Sequence, residues 1–257
     1  MNILLNGVSG YMGREVKRLC EEGFRGANLL FGVDPNGSGE TYKSFDEIDS
    51  TLGVDCIIDF SHRSATPALL EFAVNNSLPL VLCTTGHTEE EISLIHSAAE
   101  SIPVFYSGNM SVGIAMLLEL AKITAAAFPE AEIEIIEKHH DRKVDAPSGT
   151  ALMLANAIRE VRPGAYPNCG RSGQGKRTVD EIGIHSIRMG NIVGEHEVII
   201  GTNSQTISLK HEAHDRSLFA EGAIAAADFL VGQSAGLYDM KSMLSSARAE
   251  DRITTKG

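Results

Sequence analysis

Residues 2–23 read NILLNGVSGYMGREVKRLCEEG. A short apolar run is followed by three glycines, Gly7, Gly10 and Gly13, and then by a stretch with helical periodicity. Glycines between a strand and a helix permit a tight turn and let the backbone approach a pyrophosphate, at which the N–H groups of the helix N-terminus are aimed. Because such turns also occur without a ligand, the loop predicts a dinucleotide-binding unit only together with its context.

That context is a series of short apolar strands and helical patterns through the first hundred residues. Strands are predicted at NILLNG, ANLLFGVD, VDCIIDFS, LPLVLCTT and IPVFYSG. Strands that alternate with helices form right-handed crossovers in a parallel, doubly wound sheet. Near-continuous apolar strands such as CIIDF are typical of a sheet that is covered on both faces. The sequence therefore predicts an α/β, Rossmann-like first domain.

The pattern changes after residue 110. Helices are predicted over 111–128 and 150–162, and strands at EIEIIEKHH and near 182–190, 195–203 and 205–213. The alternation in HEVIIGTNSQTISLKHE predicts a hairpin that turns at 202–204. We therefore expect a second, α+β domain with a mixed sheet.

The last helical stretch, SLFAEGAIAAADFLVG, and the GLYDM tail contain no further predicted strand that they could accompany. We expect this segment to return to the first domain. The predicted first domain then comprises residues 1–109 and 216–257, and the second comprises residues 110–215.

Composition limits the partners of the chain. Its 257 residues carry a net charge of −12, which argues against binding to nucleic acid or to an anionic membrane. Its four cysteines lie far apart, as expected in a reducing cytoplasm. No basic leader and no long uninterrupted apolar stretch is apparent, so we expect neither export nor membrane insertion.

Asp34 ends the second predicted strand about 20 residues beyond the third glycine, where an acid would meet the ribose 2′-OH of the cofactor. The alternative is that Asp34 caps a turn at 34–37. A carboxylate at the ribose repels a 2′-phosphate, so NADH is favoured over NADPH. Arg14, His62 or Arg63 could soften that preference.

Two further loops follow predicted strands, at 83–86 and 107–110. In open α/β sheets, ligands bind outside the carboxyl ends of the strands. Each loop alone is equally well explained as a plain turn. Together with the glycine loop they predict the nicotinamide side of a cofactor site.

A second group of polar residues lies in IEIIEKHHDRKVDAPSGTALMLA, residues 133–155. His139, His140, Arg142 and Lys143 precede a turn at 147–150, whose Ser148 is a good helix cap. A helix N-terminus and a lysine favour a bound anion, and a histidine with an ordinary pKa of about 6.5 is a suitable proton donor. The segment predicts proton transfer to a small polyanionic ligand.

Two other interpretations of this segment remain open. An adjacent histidine pair can be structural, with one histidine hydrogen-bonded and the other solvated. A zinc site is the third option, and it ranks last because no histidines are spaced as in H-E-x-x-H. Its ligands would come from His185, His196, His211 and His214.

The stretch EKHHDRKVDAPSGTA resembles the signature of the dihydrodipicolinate reductase family. The resemblance covers essentially the whole chain, because it extends to GVSGYMGR, DFS at 59–61, TTG at 84–86, GNMSVG at 108–113, NIVGEHEV at 191–198 and GLYDM at 236–240. It implies a homotetramer in which an NAD(P)H-binding domain hinges over a substrate-binding and tetramerisation domain. It also implies reduction of 4-hydroxy-tetrahydrodipicolinate to tetrahydrodipicolinate with loss of water, in lysine and diaminopimelate biosynthesis.

The resemblance also implies roles for individual residues. His139 would be the proton donor and acceptor, and Lys143 the second proton donor. A carboxylate of the small dicarboxylate substrate would be held by His140, Gly149 and Thr150. No metal is implied. The cofactor, NADH or NADPH, would be bound by Gly7, Val8, Ser9, Gly10, Tyr11, Met12, Asp34, Cys83, Thr84, Thr85, Ser107, Gly108, Asn109 and Met110.

Two other functions compete with this interpretation. A related dehydrogenase that acts on aspartate semialdehyde needs a cysteine nucleophile, for which Cys169 beside Arg171 is a poor candidate. A non-catalytic NAD(H) sensor could keep the glycine loop but has no use for His139 together with Lys143. The loop at 170–177 is interpreted either as a lid or as a solvated surface loop.

Overall fold

The computed structural model describes residues 1–39, 41–48 and 50–246. The chain divides into two compact units, one made of Met1–Ser111 with the segment that begins at Ser217, the other of Val112–Arg216. The last residues of the predicted first domain, 247–257, lie outside the described part.

In chain order, the strands and longer helices are β1 (Asn2–Asn6), α1 (Tyr11–Glu21), β2 (Asn28–Val33), β3 (Cys56–Asp59), α2 (Thr66–Asn75), β4 (Leu80–Leu82), α3 (Glu89–Ala99), β5 (Pro103–Tyr106), α4 (Val112–Ala127), β6 (Glu132–His139), α5 (Gly149–Val161), β7 (Tyr166–Cys169), β8 (Glu181–Arg188), β9 (Gly194–Gly201), β10 (Thr206–Ala213), α6 (Ser217–Leu230) and β11 (Gly236–Tyr238).

The first unit contains a parallel sheet in the order β11-β5-β4-β3-β1-β2. Every residue of β3 and β4 is buried. Helices α2 and α3 pack on one face, over a core that includes Leu4, Ile57 and Leu82. Helices α1 and α6 pack against each other, and α6 packs on β3, β4 and β5. The predicted Rossmann-like sheet with helices on both faces is confirmed.

One strand of this sheet was not expected. The GLYDM tail, in which the sequence predicts no strand, contributes β11, which pairs with β5 at the edge of the sheet. Our expectation was wrong because a strand of three residues with a half-exposed pattern is too short to show an alternation.

The second unit contains a mixed sheet in the order β10-β9-β6-β8-β7. β6 is parallel to β8 and antiparallel to β9. The predicted hairpin is confirmed as β9 and β10, whose turn is closed by a 2.8 Å hydrogen bond from the Thr202 N–H to the Gln205 carbonyl. β7, with the sequence YPNC, was not predicted, because a proline and a lack of alternation are unlike an internal strand. It lies at the sheet edge, where a proline is tolerated.

The core of the second unit determines where the buried polar residues of β6 lie. Helices α4 and α5 cover one face of the sheet, over a core that includes Ile133 and Ile135 of β6. Side chains alternate along a strand. The next two residues of β6 on the core side are therefore Glu137 and His139, and both are buried. The apolar layer thus ends in buried polar groups at the carboxyl end of β6.

Candidate active site

The glycine loop between β1 and α1 requires its glycines. Gly7 has φ +82°, which favours glycine, and a Cβ there would overlap the carbonyl oxygen of Phe60. A Cβ at Gly13 would overlap the carbonyl oxygen of Gly7, so α1 starts very close to the loop. The cap residue of α1 is Gly10, and no side chain caps the helix. Its N-terminus is therefore shaped to face an anion.

The other predicted residues of this loop differ in their surroundings. Val8 is buried, and its side chain lies against Gly32 of β2. Tyr11 is exposed, whereas Ser9 and Met12 are half-buried. Because its side chain is buried, Val8 can offer a ligand only its backbone groups.

Asp34 lies at the end of β2, where the sequence predicts an acid that binds ribose. It also caps the turn at 34–37, which was the alternative interpretation. Its Oδ1 accepts a 2.9 Å hydrogen bond from the Asn36 N–H, and its Oδ2 accepts one of 3.1 Å from the Ser9 N–H. The carboxylate therefore joins the end of β2 to the glycine loop. Each carboxylate oxygen has a second lone pair that a ribose hydroxyl can use.

A fully buried carboxyl group, Asp59, holds three strand ends together. Its Oδ1 accepts hydrogen bonds from Asn6 Nδ2 (2.8 Å) and Ser61 Oγ (2.6 Å), and its Oδ2 accepts one from Thr84 Oγ1 (2.6 Å). Burial raises the pKa of Asp59, and these hydrogen bonds oppose the rise only in part. Sequence analysis did not assign Asp59 a role.

The two remaining loops that are predicted to bind the cofactor follow β4 and β5, which are neighbours in the sheet. A Cβ added to Gly108 would lie 3.7 Å from Cγ2 of Thr85, so the loops approach each other. Ser107 Oγ donates a 2.8 Å hydrogen bond to the Asn109 carbonyl, and Met110 is buried. Cys83 is also buried, and burial raises the pKa of its thiol well above the ordinary value. Its sulfur is thus a packing group and not a nucleophile.

In the second unit, His139 is bound to a glutamate on its own strand. The distance from His139 Nδ1 to Glu137 Oε2 is 2.6 Å. Arg188 of β8 donates to both carboxylate oxygens of Glu137, from Nη1 at 2.8 Å and from Nη2 at 2.6 Å. The Ser148 N–H donates to Glu137 Oε1 at 3.1 Å. The carboxylate therefore connects β6, β8 and the start of α5.

Ser148 and His196 form the second part of this buried cluster. Ser148 Oγ accepts a 3.2 Å hydrogen bond from the Ala151 N–H and thereby caps α5 as predicted. The same Oγ lies 3.1 Å from Nε2 of His196. The rings of His139 and His196 meet edge to face with centroids 5.1 Å apart. Burial, together with the nearby His139, lowers the pKa of His196 to about 4, so His196 is neutral at pH 7.

Lys143 and His140 lie in the loop that follows β6. Lys143 Nζ forms a 2.8 Å ion pair with Asp145, whose carbonyl oxygen accepts a hydrogen bond from Arg188. Loss of water contact lowers the pKa of His140, and the charges of Arg142, Arg216 and Lys143 lower it further. Gly149 is exposed at the start of α5, with open space around its Cα, and Thr150 beside it is half-buried. Of the predicted substrate residues, His140 and Lys143 therefore lie in the loop after β6, joined by a 3.2 Å hydrogen bond from the Lys143 N–H to the His140 carbonyl, and Gly149 and Thr150 lie at the start of α5.

Glu137 and Arg188 are members of this buried cluster that the sequence analysis missed. A signal for Glu137 was present, since the alternation in EIEIIEKHH places a glutamate in line with core isoleucines and with His139. No comparable local signal exists for Arg188, which is 51 residues from its partner.

The zinc alternative finds no support in the geometry of its four histidines. His185 pairs with Glu134 at 2.9 Å, and His196 pairs with Ser148. In the described ranges, no group of three or more His, Cys, Asp or Glu side chains is arranged to hold a metal ion. Across the same ranges no helix is both long and apolar enough to cross a bilayer. Cys169, the nucleophile required by the semialdehyde alternative, is an exposed residue at the end of β7.

The chain matches known proteins over almost its whole length. The sequence profile described as dihydrodipicolinate reductase, N-terminus, matches residues 1–110, and the profile described as its C-terminus matches residues 113–244. The chain is 42% identical over 250 residues to the 4-hydroxy-tetrahydrodipicolinate reductase of Clostridium tetani, covering 96% of this chain and 98% of that one. It is 39% identical over 249 residues to the enzyme of the same name from Caldanaerobacter subterraneus subsp. tengcongensis, with coverages of 95% and 98%.

Among solved structures, the chain is similar to dipicolinate-bound dihydrodipicolinate reductase from Paenisporosarcina sp. TG-14. The TM-score is 0.79 at 25% sequence identity, over 93% of this chain and 97% of that one. A myo-inositol dehydrogenase from Corynebacterium glutamicum shares the fold alone, with a TM-score of 0.56 at 15% identity.

The lowered pKa of His196 predicts a pH dependence of stability. Between pH 6.5 and about 4 the unfolded chain binds a proton at this histidine and the folded chain does not. The free energy of unfolding therefore falls as the pH falls through this window, by about 3 kcal/mol from this residue. His196→Gln should remove that part of the slope in urea titrations at a series of pH values. His96→Gln, at an exposed histidine of α3, is the matched control; equal slopes for both variants would contradict the prediction.

Proposed function

Because this chain belongs to the dihydrodipicolinate reductase family, we propose that it reduces 4-hydroxy-tetrahydrodipicolinate to tetrahydrodipicolinate, with loss of water and oxidation of NADH or NADPH. Membership of the family makes it a pyridine-nucleotide-dependent oxidoreductase. The reaction belongs to lysine and diaminopimelate biosynthesis. The observation that carries the proposal is the buried His139, held by Glu137 beside the N-terminus of α5.

The first unit supplies the features that a dinucleotide needs. The uncapped N-terminus of α1 and a loop in which a Cβ at Gly7 would clash both fit a pyrophosphate. When bound, the nicotinamide supplies the hydride. We assign the cofactor to the glycine loop, to Asp34 and to the loops after β4 and β5.

The second unit supplies positive charge and donors for a dicarboxylate. We assign one substrate carboxylate to Gly149 and Thr150 at the start of α5, with His140 beside them. Lys143 is the nearby cation, and its ion pair with the half-exposed Asp145 can be exchanged for one with the substrate. The similar protein from Paenisporosarcina holds dipicolinate, which is also a cyclic dicarboxylate.

Proton transfer is assigned to His139 and Lys143. Glu137 occupies Nδ1 of His139, so Nε2 is the ring nitrogen that exchanges a proton with the substrate. Gly194 of β9 keeps this nitrogen accessible, because a Cβ there would lie 3.1 Å from it. Lys143 is the second donor. A non-catalytic sensor would gain nothing from a histidine fixed in this way.

The reaction is tested by following NADH and NADPH oxidation in parallel, with substrate generated by condensing pyruvate with aspartate semialdehyde. We expect oxidation that depends on both precursors. Folded protein that binds NADH but oxidises neither cofactor would favour the sensor and overturn the proposal.

Substitution of the two proton donors should separate catalysis from cofactor binding. His139→Gln and Lys143→Ala are each expected to lower kcat on the order of 10²- to 10⁴-fold, the usual contribution of a positioned acid or base. NADH affinity, measured by fluorescence titration, should stay within about twofold of the wild type, because both residues lie outside the glycine loop. Lys138→Ala, on the same strand as His139, is the control. Turnover unchanged in either test variant would remove that residue from the mechanism.

The cofactor preference should depend on Asp34. We expect a higher kcat/KM with NADH than with NADPH. Asp34→Asn keeps an oxygen that can accept a backbone hydrogen bond but removes the charge, so it should narrow the ratio of the two kcat/KM values about tenfold. A ratio that does not change would leave Asp34 as a turn cap only.

We also propose that the chain forms a homotetramer. Helix α4 exposes apolar side chains at helical spacing on one side, namely Val112, Met116, Leu120 and Ile123. A contiguous apolar stripe of this kind is typical of an interface. Light scattering should give four times the chain mass of 27.5 kDa. Ile123→Lys should lower the mass, whereas Leu52→Lys, at an exposed leucine of the first unit, should not; a monomeric wild type would contradict the proposal.

We place the enzyme in a reducing cytoplasm, with small molecules as its ligands and no nucleic-acid or membrane partner. All four cysteines are free thiols, and three of them are buried. The net charge of −12 opposes association with polyanions.

A further inference from the structure

We propose that Glu137 and Arg188 are positioning residues, which hold His139 in the tautomer that carries its proton on Nδ1 and presents Nε2 to the substrate. The inference rests on the proposed function and extends it to two residues that lie behind the proton donor.

The carboxylate of Glu137 is fully buried, yet it is surrounded by donors. Both oxygens accept hydrogen bonds from Arg188, and further hydrogen bonds come from His139 Nδ1, the Ser148 N–H and the Ser186 side chain. An isolated buried carboxylate would be costly. A planar guanidinium that donates in parallel to both oxygens is the arrangement that keeps such a group ionised and fixed in orientation.

The charge state of Glu137 decides the tautomer of His139. Burial raises the pKa of Glu137, but hydrogen bonds from His139, Arg188, Ser186 and Ser148 outweigh it and bring the pKa well below its ordinary value. An ionised carboxylate can only accept hydrogen bonds. The proton in the 2.6 Å contact therefore belongs to Nδ1, and the lone pair of the neutral imidazole is on Nε2.

Arg188 limits the electrostatic effect of Glu137 on His139, and it also fixes the position of the Glu137 carboxylate. Without the guanidinium, the full negative charge of Glu137 would hold a proton on His139 and oppose its transfer. Arg188 is itself fixed, because its Nη2 donates a 2.7 Å hydrogen bond to the Asp145 carbonyl and because it pairs with His139 in the β6–β8 register. The pair thus orients the imidazole and leaves its proton mobile.

The same carboxylate links the proton donor to the predicted carboxylate site. The Ser148 N–H is held by Glu137, and Ser148 Oγ caps α5. The start of α5, where Gly149 and Thr150 lie, therefore has its position defined by the group that orients His139. Displacement of Glu137 would shift both the imidazole of His139 and the start of α5. The proposed reaction requires both groups to be held in position relative to the substrate.

The titratable groups that face His139 come from three strands and one loop. They are Glu137 on β6, Arg188 on β8, His196 on β9 and His140 in the loop after β6. The charge of Lys143, in the same loop, acts on His140 and His196. His196 is neutral near pH 7. Because Lys143 is itself a proposed proton donor, the pH profile is interpreted together with the tautomer of His139 and not alone.

The test compares Glu137→Gln with Glu134→Gln. Glu134 lies on the same strand and pairs with a different histidine, His185, so it controls for loss of a strand glutamate. For Glu137→Gln we expect kcat to fall about 10²-fold or more, with KM for NADH unchanged. The pH profile of kcat/KM should also change in Glu137→Gln and not in Glu134→Gln, because only the first substitution removes the carboxylate in contact with His139. Glu137→Asp should recover part of kcat.

The tautomer is measured separately, by ¹⁵N NMR of histidine-labelled protein at pH 8 to 9. His139 should be protonated on Nδ1 in the wild type and in Glu134→Gln, and should become a mixture of tautomers in Glu137→Gln. This readout does not need the substrate, so it tests the inference even where the proposed reaction is absent. A wild-type His139 protonated on Nε2, or a Glu137→Gln variant with normal kcat and pH profile, would overturn the proposal.

Discussion

The second unit is organised around the ion pair between the buried carboxylate of Glu137 and the partly buried guanidinium of Arg188. A buried carboxylate is destabilising unless its charge and its lone pairs are satisfied. An arginine from β8, a histidine from β6 and a backbone N–H from the start of α5 together meet that requirement. Each of these partners belongs to the part of the unit that we assign to the substrate. The arrangement that removes the penalty of burial is therefore also the arrangement that fixes the site.

The first unit uses a carboxyl group in a different electrostatic setting. Asp59 joins the ends of β1, β3 and β4, but its donors are the neutral side chains of Asn6, Ser61 and Thr84. Burial raises the pKa of Asp59, whereas the pKa of Glu137 is lowered overall because hydrogen bonds from His139, Arg188, Ser186 and Ser148 outweigh its burial. The two groups thus hold strand ends together in two different ways, one with neutral donors only and the other with an arginine among its donors.

The sequence predicts what is set by local periodicity and turn chemistry. The glycine loop, the strands β1 to β5 of the first sheet, the β9–β10 hairpin and the cap of α5 by Ser148 all follow from neighbouring residues. The short edge strands β7 and β11 do not, because their pairing partners lie elsewhere in the chain and their own patterns are too brief. The same limit explains the site. His139 and Lys143 are conspicuous by their spacing, but Arg188 meets Glu137 only through the β6–β8 pairing.

The register of the strands therefore determines which side chains surround His139. In the observed register, Glu137 lies opposite His196 and Lys138 lies opposite Glu195, which brings Gly194 next to the imidazole of His139. A slip of one residue would turn Glu137 and His139 to the other face of the sheet and bring Lys138 into the core. It would also replace the glycine beside Nε2 with a side chain. The isoleucines that precede Glu137 on the same face, Ile133 and Ile135, oppose such a slip because it would expose them. The hydrophobic core of the second unit thus fixes the position of its most polar residues.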